Sequence, residues 1–409
     1  MLTANPRAAR ISYPDELKRI LSIDAAHESR AWLSCWDKIE PRATPLIDLP
    51  GVAHKIGIAN LHVKDESVRS VLGSFKALGA PIALVRLILR MWAGHDLDPA
   101  ALFQGRYRDL LAGFTVISAT DGNHGKGLAA AAQTLGCRCV IVLHARVSIE
   151  REQAIAAYGA EIVRIAGNYD ESVEEAARLA ASNGWHVVSD TSYDGYEDIP
   201  RDVMQGYGTI ASELVEQSDS RPDRCAFTHV FLQGGVGGMA AGLASYLWEF
   251  HGAQRPRFVV VEPQQADCLY QSALAGRAAR ATGSVDSVMA GLACGETSPL
   301  AWKFLEPVID DFMTISDADA VQAMRVLASG SEGDLPIVAG ESGVAGLAGL
   351  AVLLQDRDRA RQAGIDGTSR VLVINTEGAT APATYRELVG ETAESVRARQ
   401  SAWRACATR

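Results

Sequence analysis

At 409 residues the chain has room for about two to three domains of roughly 150 residues and needs neither disulfide nor metal to bury a core. Its 49 Asp and Glu against 39 Lys and Arg leave a net charge of −10, which argues against nucleic acid or an anionic membrane as the main partner. A 48% hydrophobic, 22% charged composition is that of a globular protein, and seven cysteines, an odd number, form no disulfide framework and point to reduced thiols in a cytoplasm.

From Met1 to Tyr13 the chain mixes Arg, Asn and Pro with no apolar run, so no signal peptide is expected. Downstream, short β-branched runs alternate with amphipathic helical stretches, the pattern of a parallel sheet covered by helices, and the fold class is α/β. Strands are predicted at 61–64, 115–118, 139–143, 161–165, 186–189, 229–232, 258–261 and 371–375. Segment 85–107 reads as a crossing between lobes. In the helical run from Val147, that residue shares a face with Ala154, Ile155 and Tyr158; Glu150 and Glu152 flank the face and Arg151 interrupts it. The uncharged stretch 226–248 is long enough to span a bilayer, but Gln233 and the glycines that follow read as strand, turn and helix. The charged tail beyond Gly390 is expected to form a surface helix.

Three clusters carry chemistry. In the first, Val63-Lys64-Asp65-Glu66-Ser67 is followed by Gly73-Ser74-Phe75-Lys76. Ser74 reads as the N-cap of a helix whose first turn holds Lys76, where the helix dipole is expected to depress the amine pKa and suit it to Schiff-base chemistry. A solvated surface lysine is the plainer alternative. Pro81 predicts a kink or an early break in that helix.

The second cluster, Ser118-Ala119-Thr120-Asp121-Gly122-Asn123-His124-Gly125, follows a strand and opens an alanine-rich helix over 128–135. Small hydrogen-bonding residues at such a turn make an anion cradle at the carboxyl end of a strand. An ordinary turn formed by Asp121 and Asn123 is equally open.

The third cluster, Gln233-Gly234-Gly235-Val236-Gly237-Gly238-Met239-Ala240, lies between a strand and a small-residue helix over 240–247. Its glycines let the backbone wrap a phosphate. Gly235, Gly237 and Ala240 also fit a dinucleotide fingerprint with Glu262 ending the next strand, which keeps an NAD-dependent dehydrogenase open. A non-catalytic phosphate-binding module is the blandest reading.

Taken together, the clusters resemble the pyridoxal-phosphate enzymes of the tryptophan-synthase-β fold, fold type II. Within that group the chain resembles the diaminopropionate ammonia-lyases from about Pro41 to Glu387. The resemblance rests on Thr120–Gly125, Asp190-Thr191, Gly195-Tyr196, Met204-Gln205-Gly206-Tyr207, Val261-Glu262-Pro263, Ala266-Asp267-Cys268, the run 289–296, Gly340–Gly343 and Thr376-Glu377-Gly378. It implies two lobes, each with a mostly parallel sheet. Residues 1–84 and 192–409 would form the larger, cofactor-binding lobe, and 85–191 a smaller one carrying the substrate-carboxylate loop.

The resemblance also implies roles. Lys76 would carry pyridoxal 5'-phosphate; Gly234, Gly235, Val236, Gly237 and Gly238 would bind its phosphate; Asn123 would contact its phenolic oxygen and Thr376 its ring nitrogen. A hydroxyl in that last place makes the ring a weaker electron sink and suits β-elimination over transamination. Thr120, Asp121 and His124 would surround the substrate carboxylate, with Asp121 and Asp190 near the reacting amines and Asp121 a second catalytic base beside Lys76. No metal ligand set is expected.

The implied reaction is α,β-elimination of 2,3-diaminopropionate, D and L, to pyruvate and ammonia by a carbon–nitrogen lyase acting as a cytoplasmic homodimer. The same fold leaves open a serine, threonine or hydroxyaspartate dehydratase and an O-acylserine β-elimination or β-replacement enzyme. Gly73-Ser74-Phe75-Lys76 departs from the Asn-Ala-Phe-Lys of the subgroup, Gly79-Ala80-Pro81 from its Gly-Gly, and Gly238 is an extra glycine. Cys268 and Cys294 match a family pair near the site mouth, for which a disulfide and two reduced thiols are both open.

Overall fold

The computed structural model describes residues 1–120, 122–167 and 169–407, and of Asp170 and Ala407 the backbone alone. Eleven strands are found among them: β1 Leu2–Ala4, β2 Leu46–Asp48, β3 Asn60–Asp65, β4 Thr115–Ala119, β5 Arg138–Leu143, β6 Glu161–Arg164, β7 His186–Val187, β8 His229–Gln233, β9 Arg257–Pro263, β10 Asp311–Ile315 and β11 Arg370–Asn375. The eight predicted strands all form, with ends shifted by a residue or two. The apolar runs at β4, β5, β8, β9 and β11 are buried almost throughout, as strands covered by helices on both faces must be.

The strands form two sheets. The larger has the order β1-β10-β9-β8-β11-β3-β2 and the smaller β6-β5-β4-β7. All neighbours run parallel except the two edge pairs of the larger sheet, β1 on β10 and β2 on β3. Strands β1, β2 and β10 carry no predicted counterpart. The first two have only three residues each, too short for an alternation to show; β1 is placed by the distant β10 and β2 by its neighbour β3.

The helix Gly79–Met91 is buried along most of its length and packs on both Asp198–Gln217 and Asn123–Leu135. Pro81 neither kinks nor breaks it. The proline sits in the first turn, where its missing N–H has no intrahelical partner to lose. The charged tail forms the helix Ala393–Ala407, as expected. No helix among the described residues is long and apolar enough to cross a membrane; residues 226–248 resolve into β8, a glycine turn and part of the helix Gly238–His251.

Candidate active site

Loops leave the carboxyl ends of β3, β4, β7, β8 and β11, and one cavity touches all five, with Lys76, Thr120, Asp190, Gly234 and Thr376 in its wall. Parallel strands place their loops at one edge of the sheet, so residues three hundred positions apart meet without any local signal. In the larger sheet β8, β11 and β3 are neighbours, which sets the glycine loop, Thr376 and the Lys76 loop side by side.

Lys76 sits on the tight turn Phe75–Leu78 that runs into Gly79–Met91. The Phe75 N–H donates to the Thr376 carbonyl at 3.0 Å, pinning this turn to the end of β11. Ser74 precedes the turn, but its side chain makes no cap hydrogen bond, contrary to expectation. Lys76 Nζ lies 2.5 Å from Asp190 Oδ2. The expected low amine pKa is overturned with it: burial is the largest single influence and lowers the pKa, but the charge and hydrogen bond of Asp190, with Tyr207 and Cys294 beside them, together outweigh it and raise the pKa well above the ordinary lysine range. A carboxylate in contact is stronger than the dipole of one short turn. Burial likewise pushes Asp190 up, and the charge and hydrogen bond of Lys76, with His124 and the backbone beside them, together override it and hold that carboxyl well below its usual range.

After β4, the Thr120 hydroxyl accepts the N–H groups of Gly122 and Gly125, both at 3.1 Å, and keeps its own proton to donate. Gly125 is required there, because a Cβ would stand 2.4 Å from Thr120 Cγ2. The helix starts at Asn123, five residues earlier than predicted, and the Thr120 hydroxyl serves the turn before it. Asn123 is thereby free of capping, and its amide donates to Glu377 Oε2 at 2.5 Å. His124 is buried, with Nε2 2.9 Å from the Val188 carbonyl and Nδ1 3.7 Å from Asp190. Burial lowers its pKa against the pull of Asp190, so the ring is neutral and presents its lone pair on Nδ1. Asp121 lies outside the described residues.

After β8, Gly235 and Gly237 have φ of +67° and +100°. A Cβ at Gly237 would stand 2.8 Å from Leu305 Cδ1, and one at Gly234 would stand 2.4 Å from Glu262 Cγ. Among the described residues the N–H groups of Gly235, Val236, Gly237 and Gly238 have no protein acceptor, and behind them stands the amino end of Gly238–His251. Four unspent donors at a helix N-terminus make an anion cradle.

A family model described as pyridoxal-phosphate dependent enzyme matches residues 39–377. The chain is 40% identical over 354 residues to the diaminopropionate ammonia-lyase of Escherichia coli K12, spanning 86% of this chain and 88% of that one. It is 37% identical to the enzyme of the same name from Salmonella typhimurium LT2, over 85% and 87% of the two chains. The crystal structure of the Escherichia coli enzyme with an aminoacrylate-PLP azomethine reaction intermediate superposes with a TM-score of 0.84 at 36% identity, covering 95% of this chain and 96% of that one. The chain belongs to the pyridoxal-phosphate dependent enzymes, in the diaminopropionate ammonia-lyase family. Threonine deaminase isoform 2 from Solanum lycopersicum, with a TM-score of 0.69 at 20% identity, shares the fold.

Pyridoxal phosphate is the cofactor of this family, and the cavity fits it. The four free N–H groups suit a phosphate, Lys76 stands in the same wall, and no acidic side chain lies within the glycine loop. The dehydrogenase reading falls. Glu262, its candidate ribose ligand, is fully buried and accepts the N–H groups of Leu269 and Tyr270 at 2.9 and 2.7 Å, capping the helix Cys268–Ala275. No disulfide joins Cys268 to Cys294 here.

The cavity also holds residues to which the sequence assigned no role. Tyr207 packs on Phe75 with ring centres 4.8 Å apart, and its buried hydroxyl has no hydrogen-bond partner among the described residues. Glu377 accepts from Asn123 and from the Ser342 N–H. Arg151 reaches in from the helix Ile149–Ala156. Each stood in a quoted motif or pattern, but a role for it depends on contacts between distant segments.

Proposed function

We propose that this protein eliminates ammonia across Cα and Cβ of 2,3-diaminopropionate, giving pyruvate and two ammonia. The observation that carries this reading is one cavity joining Lys76, the Gly234–Gly238 cradle and the Thr120–Gly125 turn, in a chain 40% identical to a diaminopropionate ammonia-lyase.

Bound pyridoxal phosphate supplies an electron sink for the pair left when Cα loses its proton. The chain's own residues do the rest. The N–H groups of Gly235 to Gly238 would hold the cofactor's phosphate, Thr376 would offer a neutral hydroxyl to the ring nitrogen, and Asn123, fixed by Glu377, would contact the phenolic oxygen. Thr120, with its lone pairs already engaged, donates its proton to the substrate carboxylate, and His124 lies beside it. Lys76 removes the Cα proton on its own face, and Asp190 holds the charge that results. Asp121 serves as base for the opposite face. The Cβ–N bond breaks as ammonia departs, and the released enamine hydrolyses in water to pyruvate and the second ammonia.

The two sheets support a division into lobes at 1–84 with 192–409 and at 85–191, although Gly79–Met91 runs across the 84/85 boundary. Cytoplasmic residence and a homodimer belong to the same reading; the absence of disulfides among the described residues accords with a reducing compartment.

The test measures ammonia and pyruvate from D- and L-diaminopropionate beside serine, threonine and O-acetylserine, with borohydride reduction and peptide mapping of the yellow holoenzyme. Two ammonia per pyruvate and cofactor fixed on Lys76 are expected. One ammonia per pyruvate, obtained only from a hydroxy or acylated amino acid, sinks this reading in favour of a dehydratase or acylserine enzyme.

A further inference from the structure

Arg151 interrupts the apolar face of its helix for a reason that the elimination chemistry leaves unused. Its stem lies against the carboxylate-binding turn, with Cδ 3.2 Å from where a Cβ on Gly122 would stand. Its guanidinium crosses from the loops of the smaller sheet to those of the larger, where Nη2 donates to Glu341 Oε1 at 2.7 Å. Among the described residues, Nε and Nη1 have no acceptor. Arg151 lines the inner cavity and also a second, outer cavity of about 360 Å³, which Glu341, Arg146, Ser148 and Asp286 help to line. The ion pair therefore stands at the wall between the two.

We propose that Arg151 receives the carboxylate of the incoming amino acid from the outer cavity, and that Glu341 is the place-holding carboxylate it exchanges for it. A guanidinium fork with unspent donors beside the turn that holds carboxylate is built to grip one. Glu341 is the weaker partner. It is 1% exposed, its Oε2 has no hydrogen-bond partner among the described residues, and it uses a single contact to Arg151. Burial and the nearby Glu377 charge push its carboxyl up to about 7, so Glu341 takes a proton at little cost once Arg151 leaves it. The substrate carboxylate replaces Glu341 without leaving either arginine or glutamate as a bare buried charge. Nearby, Arg146 and Asp286 pair at 3.9 Å on the outer rim, which leaves Arg151 as the cation at the wall between the two cavities.

This inference rests on the amino-acid substrate of the proposed function, and its test separates the two. Propionate, a carboxylate with no amine, is titrated by calorimetry into holoenzyme, and KM for diaminopropionate is measured alongside. Arg151→Met is expected to weaken propionate by about ten-fold or more, whereas Glu341→Gln, which removes the competitor, tightens it about three-fold or more. KM should move in the same two directions. Arg151→Lys, which keeps charge without the fork, should fall between and serves if Arg151→Met does not fold. A merely structural ion pair predicts that both changes weaken binding; that result, or no change in either, overturns the proposal. Failure of wild-type enzyme to make pyruvate from diaminopropionate overturns the function and leaves the propionate result standing on its own.

Discussion

Lys76 Nζ and Asp190 Oδ2, 2.5 Å apart, join the loop after β3 in the larger sheet to the loop after β7 in the smaller one. The contact fixes the protonation of the lysine as well as its position. With Asn in place of Asp190, burial is left without its counterweight and the amine pKa falls. Capture of pyridoxal phosphate by apoenzyme needs the neutral amine, so Asp190→Asn should move the pH profile of capture, followed by absorbance, toward lower pH. An unmoved profile means that Asp190 does not control the lysine.

Gly237 is the strictest position in the cradle, with φ +100° and no room for a Cβ. Gly237→Ala should cost about 1–3 kcal/mol in backbone strain and weaken cofactor retention about ten-fold or more. Gly252→Ala, at φ +56° with nothing within 4 Å, carries comparable strain far from the cradle. Dialysis against cofactor-free buffer, read by absorbance, compares the two; equal retention argues against a phosphate role for the loop.

Thr376→Ala removes one neutral hydrogen bond, worth on the order of 1 kcal/mol, while the backbone contact from Phe75 to its carbonyl survives. A loss of about five-fold in cofactor affinity is expected. Complete failure to bind cofactor points to a larger role for the hydroxyl.

Glu262 gives the fold a pH dependence. Burial raises its carboxyl from an ordinary 4.5 to about 8, with the two backbone N–H bonds opposing. A raised pKa favours the protonated form in the folded state, so its stabilising contribution is full below 4.5 and is lost as pH rises through about 8. Thermal unfolding of Glu262→Gln should therefore depend less on pH across that window than the wild type. Parallel curves for the two proteins assign the effect to other groups.

Asp121→Asn keeps size and hydrogen bonding but removes a base near neutral pH. If the two enantiomers present their Cα protons on opposite faces, activity toward the D form should fall on the order of 10²-fold and toward the L form much less. Equal losses with unchanged cofactor absorbance make Asp121 an orienting group and end the two-base account.

The eight strands, the three clusters and the chemistry of their residues were legible along the chain because each is local: β-branched runs bury between helices, and glycines mark turns that only glycine can make. The short edge strands were not, since β1 is held by β10 some three hundred residues away and β2 only by its antiparallel pairing with β3, not by their own composition. Lys76 was legible as an amine at a helix start, but the direction of its pKa was decided by Asp190, 114 positions on, which no property of the turn encodes. Arg151 shows the same division. Its sequence marks only a charge on an apolar face; the fold supplies Glu341 and two cavities, because parallel strands bring distant loops to one edge and let electrostatics act across it.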